Sequence, residues 1–360
     1  MSLTLPKDIC KPHLIFKNNN QEQVMKKTRI LTGITTTGTP HLGNYAGAIK
    51  PAIEASKNLE NKSFYFLADL HALIKNKNPK EVHQSSLEVA ATWLALGLDT
   101  ENAYFYRQSD IPEISELTWI LSCLTAKGLM NRAHAYKASV AENIEQKAKD
   151  PDKGITMGLF SYPILMAADI LIFKADLVPV GKDQIQHLEM ARDIGMRFNH
   201  LYEELFTLPQ ALTDENAAVL KGLDGRKMSK SYGNTIPLFD TEKKLKKMIN
   251  KITTNSQPPE EPKDTKDCTL FEIYSAFADK NQIEEIKKRY SEGIGWGEMK
   301  LTLFELLNDQ LKEPRKQYEY LIKNPSIVEE TLIKGGLKAR EEAIPMLKKI
   351  KKAVGLRALG

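Results

Sequence analysis

Cysteine is scarce: Cys10, Cys123 and Cys268 are the only three among 360 residues, far apart and with no CxxC pair. An odd, scattered set argues against a disulfide framework and fits neither a zinc knuckle nor an iron–sulfur site. A reduced, cytoplasmic protein with no zinc and no iron–sulfur cluster is therefore expected. No run approaches the ~18 consecutive apolar residues of a membrane span, so no membrane partner is expected either. The first 25 residues lack both an apolar core of about 7–15 residues and a small-residue cleavage site, so no secretory signal is read. A large excess of one charge is also missing, with 51 Lys and Arg against 46 Asp and Glu. Hydrophobic residues at 42%, charged residues at 27%, 20 glycines and 17 prolines exclude a disordered tail protein and a collagen-like fibre. At roughly 100–200 residues per domain, the length of 360 allows two or three domains.

What charge there is lies unevenly. Residues 241–360 carry 24 basic and 19 acidic groups, whereas residues 1–240 carry 27 of each. The last 30 residues hold 8 basic and 2 acidic side chains. A basic end on a neutral chain suits a polyanion partner, and a solvated lysine-rich helix face would give the same count.

Residues 1–28 are polar and weakly patterned, and read as an N-terminal extension with room for a β-hairpin around His13–Phe16. Strand patterns follow at 29–33, 63–68, 103–107 and 176–180. They alternate with helical periodicity at 44–59, 86–98, 112–125, 133–149, 162–173 and 184–199. Such alternation predicts βαβ units, an α/β fold with a Rossmann-type, doubly wound parallel sheet. Ligands of these sheets sit beyond the carboxyl ends of the strands, which makes the loops after 33, 68, 107 and 180 informative. Beyond Pro237 only helices are read, at 241–251, 270–277, 281–290, 296–311, 313–323, 326–334 and 337–354. The expected division is an extension at 1–28, a catalytic domain at 29–236 and an all-helical domain at 237–360, whose last helix is free to pack back on the catalytic part.

Two loops carry chemistry. In GITTTGTPHLGN (33–44) a strand runs through a Gly/Thr turn into a helix start, where backbone N–H groups and the helix dipole favour phosphate. It is neither GxGxxG nor a Walker A loop. His41 and Asn44 supply donors for a phosphate or for the adenine–ribose end of a nucleotide. In GLDGRKMSKSYGN (222–234), Lys227 and Lys230 with Ser229 and Ser231 form a cationic loop with hydroxyl donors, flanked by Gly225 and Gly233. Such a loop can close over a polyphosphate and stabilise charge at a transferring phosphorus. On the helix at 162–173, Tyr162, Met166 and Asp169 fall four and three residues apart and share one face.

HLGN at 41–44 and KMSKS at 227–231 resemble the two signatures of class I aminoacyl-tRNA synthetases. GNYAGAI (43–49), ADLHALI (68–74), YPILMAADILIF (162–173) and VPVGKDQIQHLEMARD (178–193) are similar to the tryptophanyl branch. The likeness is strong over about 28–240. It implies a homodimer that uses ATP with Mg²⁺ to turn L-tryptophan into the adenylate and then charges tRNA(Trp). Tyrosyl-tRNA synthetases share the fold and a pocket Asp, and a non-catalytic RNA-binding paralogue would share the fold too, although both signatures are intact here.

By the resemblance, Lys227, Ser229 and Lys230 clamp the pyrophosphate with His41 near the phosphates. Thr35, Thr36, Thr37, Gly43, Asn44, Met228 and Ser231 line the ATP site. Gly181, Lys182 and Asp183 follow a strand end where a carboxylate can bind ribose hydroxyls, and Val219 packs on adenine. For tryptophan, Asp169 accepts the indole N–H while Met166 packs on the ring. Tyr162, Gly33, Val178 and Gln184 complete the pocket, and His71 either borders it or is a satisfied core histidine. A site built for a buried N–H rejects phenylalanine by leaving its acceptor unpaired, so no editing domain is expected. The turn that in the family reads Gln-Pro-Ser is Thr35-Thr36-Thr37 here, and Ala135 stands where a polar Gln is usual, leaving His134 or Lys137 to compensate. Trp296 and Tyr318 are equally core residues or stacking platforms for tRNA.

Overall fold

Thr28–Ile34 (β1, TRILTGI) alternates short polar and aliphatic side chains before a glycine-bearing turn, the pattern of a strand with two packed faces. The computed structural model describes residues 27–36, 38–181, 184–213 and 219–359. The hairpin expected near residues 13–16 lies outside them. With β2 (Asn61–Leu67), β3 (Tyr104–Arg107), β4 (Leu177–Pro179) and β5 (Gln210–Leu212), β1 forms a five-stranded sheet of order β3-β2-β1-β4-β5. All its pairings are parallel. The order reverses at β1, which opens a crevice at the carboxyl ends of β1 and β4. β5 was not foreseen; its QAL is short, exposed and without strand character.

The helices run α1 (Leu42–Asn44), a π-helical stretch at Tyr45–Ile49, then α2 (Lys50–Ser56), α3 (Asp69–Ala72), α4 (Pro79–Ala95), α5 (Pro112–Leu124), α6 (Lys127–Met130), α7 (His134–Glu145), α8 (Met157–Ile172) and α9 (Ile185–Leu201). After them come α10 (Glu242–Asn250), α11 (Thr269–Phe277), α12 (Lys280–Glu292), α13 (Trp296–Lys323) and α14 (Pro325–Ala353). None of the described helices is long and apolar enough to cross a membrane.

Alternation along β2 sorts the core. Phe64 and Phe66 face α5, α8, α9 and the second half of α14, while Tyr65 and Leu67 face α4 and the α13–α14 corner. A third core belongs to α10–α13, yet it also takes in Leu42, Leu220, Met228, Ile236 and Leu238 from the two signature loops.

Two expected helix breaks are absent. The reading of 296–311 and 313–323 as separate helices is replaced by continuous α13 with Pro314 inside it. Its buried Leu303, Leu307 and Leu311 anchor one end and Leu321 the other, and this packing outweighs the local cost of the proline. Likewise 326–334 and 337–354 are one helix, α14, through Gly335-Gly336. There the glycines serve approach rather than a turn. A Cβ on Gly335 would lie 1.7 Å from the Phe105 carbonyl oxygen, so the helix lies directly on the edge strand β3.

Ion pairs fasten α14 to the sheet body. Arg107 meets Glu329 through both terminal nitrogens at 2.8 and 2.7 Å, Arg340 meets Glu113, Lys351 meets Glu116, and Glu342 takes both Arg29 and Lys62. Lys334 pairs with Glu101, and Lys338 caps the Glu101 and Ala103 carbonyls. Much of the C-terminal positive charge therefore works within the chain.

Candidate active site

At the crevice a cavity of about 460 Å³ is lined by Leu31, Gly33, Thr35, Phe66, Ala68, His71, Tyr162, Met166, Asp169, Ile170, Val178, Pro179, Val180, Gly181 and Gln184. The structure thus brings Gly33, His71, Tyr162, Met166, Asp169, Val178 and Gln184, all seven candidates for the amino-acid pocket, onto one wall set. Gly33 is small for a reason: a Cβ there would come 3.0 Å from Phe66 Cζ. His134 and Lys137 on α7 do not line this cavity.

Asp169 is 1% exposed. His71 Nε2 lies 3.0 Å from its Oδ2, so His71 borders the pocket as a partner of the carboxylate. Gln108 Nε2 donates to both oxygens, at 2.8 and 2.9 Å. Burial pushes the Asp169 carboxyl up from the usual carboxylate range, and the bonds from His71 and Gln108 pull against that shift. Across the cavity the Tyr162 hydroxyl meets His187 Nε2 at 2.6 Å, and His187 Nδ1 meets Gln184 Oε1 at 3.1 Å. Gln108 and His187 were not singled out in the sequence; the only signals were a position just past a strand end and a place inside the 178–193 run.

The same Thr-rich turn leads from the cavity to the cationic loop. Thr35 lines the cavity, and Thr36 is buried, its hydroxyl without a partner among the described residues. Gly38 adopts φ +64°, with Lys230 Nζ 3.1 Å from where its Cβ would stand. Thr37, Lys182 and Asp183 lie outside the described residues. His41 caps α1: its Nδ1 accepts from the Asn44 N–H at 3.3 Å, and its own N–H donates to Asn44 Oδ1 at 3.1 Å. This bond assigns the proton of the neutral ring to Nε2. Burial, helped by nearby Lys230, holds the imidazole at a pKa of about 4. The Lys230 ammonium is partly enclosed although the residue is exposed overall, which lowers its pKa, and Glu88 opposes that shift.

The two signatures are joined directly. Leu42 N–H donates to the Ile236 carbonyl and Leu238 N–H to that of Pro40, both at 3.0 Å, and Gly43 N–H points at Met228 Sδ. Asn234 shapes the KMSKS turn from beneath: it is 3% exposed, its Oδ1 accepts from Ser229 N–H at 2.8 Å, and its Nδ2 donates to Asp224 and to the Lys227 carbonyl. Sequence reasoning missed it, because SYGN reads as a solvated turn. Ser229 and Ser231 share a hydroxyl contact of 2.8 Å, and Lys227, Asn44 and Gly181 are exposed. Val219 is 63% exposed. Trp296 donates to Asn255 and stands edge-on to Tyr290, and Tyr318 packs on Phe239, so both rings are engaged within the fold.

A largely apolar cavity with one buried carboxylate thus shares a strand-end turn with a hydroxyl- and lysine-rich loop. Residues 23–312 match the family described as tRNA synthetases class I (W and Y). The tryptophan–tRNA ligase of Pseudomonas aeruginosa is 59% identical over 92% of this chain and 75% of its own length. That of Neisseria meningitidis is 58% identical over 93% and 100%. Among solved structures, tryptophanyl-tRNA synthetase from Campylobacter jejuni complexed with ADP and tryptophan superposes with a TM-score of 0.83 at 45% identity, covering 91% of this chain and 100% of that one.

Proposed function

The chain belongs to the class I tRNA synthetases of the W and Y family, and from that premise we propose the part that each site residue plays. It is a tryptophan–tRNA ligase: it activates tryptophan with ATP and charges tRNA. An oxygen of the tryptophan carboxylate attacks the α-phosphorus, and the bond to the pyrophosphate oxygen breaks. The 3′-terminal ribose hydroxyl of tRNA(Trp) then attacks the aminoacyl carbonyl, and AMP leaves. Both steps are displacements in which the protein positions groups and neutralises charge.

In our reading the indole enters the crevice between Gly33, Val178 and Met166, and its N–H donates to Asp169. Tyr162 and Gln184, tied through His187, stand at the open side toward the amino acid's polar end. Thr35, Thr36 and Thr37 carry the chain from this pocket to the phosphates. His41, neutral with a proton on Nε2, donates there together with the Gly43 and Asn44 turn. Lys227, Ser229, Lys230 and Ser231 hold the pyrophosphate as it departs and Met228 anchors the loop; Mg²⁺ brought in with ATP would supply further neutralisation of the phosphate charge. Gly181, Lys182 and Asp183 take the ribose, and Val219 the adenine. The observation that carries the pocket assignment is the buried, doubly bonded Asp169 facing a cavity walled by aliphatic and aromatic groups.

For tRNA, exposed Lys348, Lys349 and Lys352 on the outer side of α14, with the helical part after residue 237, supply phosphate contacts whose strength falls with salt. A second copy covers the face where Trp119, Met157 and Leu73, 71%, 72% and 55% exposed, stand around a groove lined by Leu70, Ser115 and Gly158, giving a cytoplasmic homodimer.

The test is amino-acid-dependent ATP–pyrophosphate exchange with tryptophan, tyrosine and phenylalanine in parallel. Exchange with tryptophan alone is expected. Exchange with tyrosine would overturn the pocket assignment and leave the two loops standing.

A further inference from the structure

Gln108 is 0% exposed, in the single turn of 3₁₀-helix (Gln108–Asp110) that leaves β3. It is absent from the cavity wall, whereas Asp169 and His71 are on it. Its amide nitrogen spans the carboxylate of Asp169, 2.8 Å from one oxygen and 2.9 Å from the other. A donor set between two oxygens tethers the head of the carboxylate and favours its charged form, and the contact of His71 with one oxygen then settles its rotation. His71, by contrast, is on the cavity wall with a side chain 20% exposed. Among the described residues, the carbonyl oxygen of Gln108 is buried with no partner, as is the hydroxyl of Tyr106 two residues earlier. A buried amide whose nitrogen is spent on one carboxylate is there for that bond.

We infer that Gln108 is a positioning residue that sets specificity for the indole N–H by orienting Asp169 from behind. The inference rests on the reading of Asp169 as the acceptor of that N–H. A buried carboxylate needs donors to stay charged, and one facing an N–H must present an oxygen lone pair toward the cavity. Without Gln108 the carboxylate loses its tether and can shift toward His71 or take up a proton, and in both cases the fixed anionic acceptor is lost while the apolar walls remain. The placement of Gln108 is itself braced. Arg107 is pinned to Glu329, and the Asp69 carboxylate accepts from the N–H and hydroxyl of Ser109.

The experiment is a comparison of two substrates in ATP–pyrophosphate exchange: tryptophan and 3-(benzothiophen-3-yl)alanine, which has sulfur where the indole has N–H. Wild type and Gln108→Met, which fills the same space without a donor, are assayed for kcat and KM. Removing a hydrogen bond to a charged group predicts a loss of about tenfold to a hundredfold in kcat/KM for tryptophan, mostly in KM. For the sulfur analogue little change is expected, so the preference for tryptophan shrinks by the same factor. A parallel fall for both substrates, or an unchanged preference, overturns the inference and leaves Gln108 a packing residue at most. Should Gln108→Met fail to fold, Gln108→Asn, which draws the amide back by one methylene, gives the same readout. If the wild type itself shows no preference between the two substrates, the Asp169 reading fails, and the Gln108 inference is overturned with it.

Discussion

Met228 sets its sulfur 3.4 Å from the amide nitrogen of Gly43, 185 residues away in sequence. The lysine loop and the HLGN turn are thereby one body, and the apolar floor they share, Leu42 with Met228, belongs to the core of the helical part. Lys221 extends the connection. Its backbone bridges to Lys227, and its ammonium pairs with Glu272 on α11 at 2.7 Å and Asp267 at 3.2 Å. The HLGN and KMSKS loops and the helical part are thus joined by direct contacts.

Truncating Met228 to alanine tests that joint. The side chain is 4% exposed, so its loss costs about 2–5 kcal/mol in folding stability. The KM for ATP in pyrophosphate exchange should rise while the dissociation constant for tryptophan stays near that of the wild type. A variant that loses stability but keeps its ATP KM would show that the loop does not depend on this anchor.

Lys230→Ala addresses the charge that stands next to Gly38. Adenylate formation should slow by about two or more orders of magnitude, with little change in tryptophan affinity, as expected for a group that acts on the departing pyrophosphate. Single-turnover adenylate formation measures the first and equilibrium titration of tryptophan the second. Loss of affinity at unchanged rate would contradict the clamp.

Asp169→Asn keeps the shape of the pocket and removes the anionic acceptor. The new amide also faces the amide nitrogen of Gln108, which leaves donors opposed to donors in a buried site. Tryptophan-dependent exchange should fall by about two orders of magnitude, and discrimination against phenylalanine should weaken. Exchange assays with both amino acids read this, and full retention of discrimination would remove Asp169 from its role.

How much of this was legible in the sequence follows from how local each signal is. The face shared by Tyr162, Met166 and Asp169 is a property of one helix, and the Gly/Thr turn at 33–44 a property of one strand–helix junction, so spacing was enough to mark both as candidates. The order of the sheet made the loops after residues 33 and 180 meet. Gln108 and Asn234 escaped because their meaning lies in what tertiary packing places against them: a carboxylate 61 residues away for one, and a ring of loop backbone groups for the other. Gly335-Gly336 was misread as a helix break for the same reason. Only the approach of β3 turns a weak helix-forming pair into the residues that permit contact. The basic C-terminus was countable, but which lysines and arginines face acids on the sheet body was not.

Burial gives His41 a pH signature. The unfolded imidazole titrates near 6.5, the folded one at about 4. Between those values the unfolded chain binds a proton that the folded chain refuses. The stability due to neutral His41 is therefore fully present above about pH 6.5 and declines as pH falls toward 4. Asparagine at position 41 can still cap the helix but does not titrate. In urea denaturation at pH 7 and pH 5, the wild type should lose more stability on acidification than His41→Asn. Equal losses would mean that His41 is protonated in the folded protein.

Gly335→Ala concerns the brace behind the pocket. The added methyl would have to stand 1.7 Å from the Phe105 carbonyl oxygen, and that obstacle is backbone, which cannot rotate away. Helix propensity alone would favour alanine by about 1 kcal/mol, so the sign of the effect separates local preference from packing. The expected outcome is destabilisation by several kcal/mol, about the upper range for single substitutions, because α14 must lift from β3 and strain the pairs of Arg107 with Glu329 and Arg340 with Glu113. Since β3 leads straight into Gln108, tryptophan KM should rise with the loss of stability. Thermal melting with exchange kinetics reads both quantities. A variant as stable as the wild type would mean that α14 can leave the sheet edge at no cost, and the C-terminal helix would then have no part in shaping the tryptophan pocket.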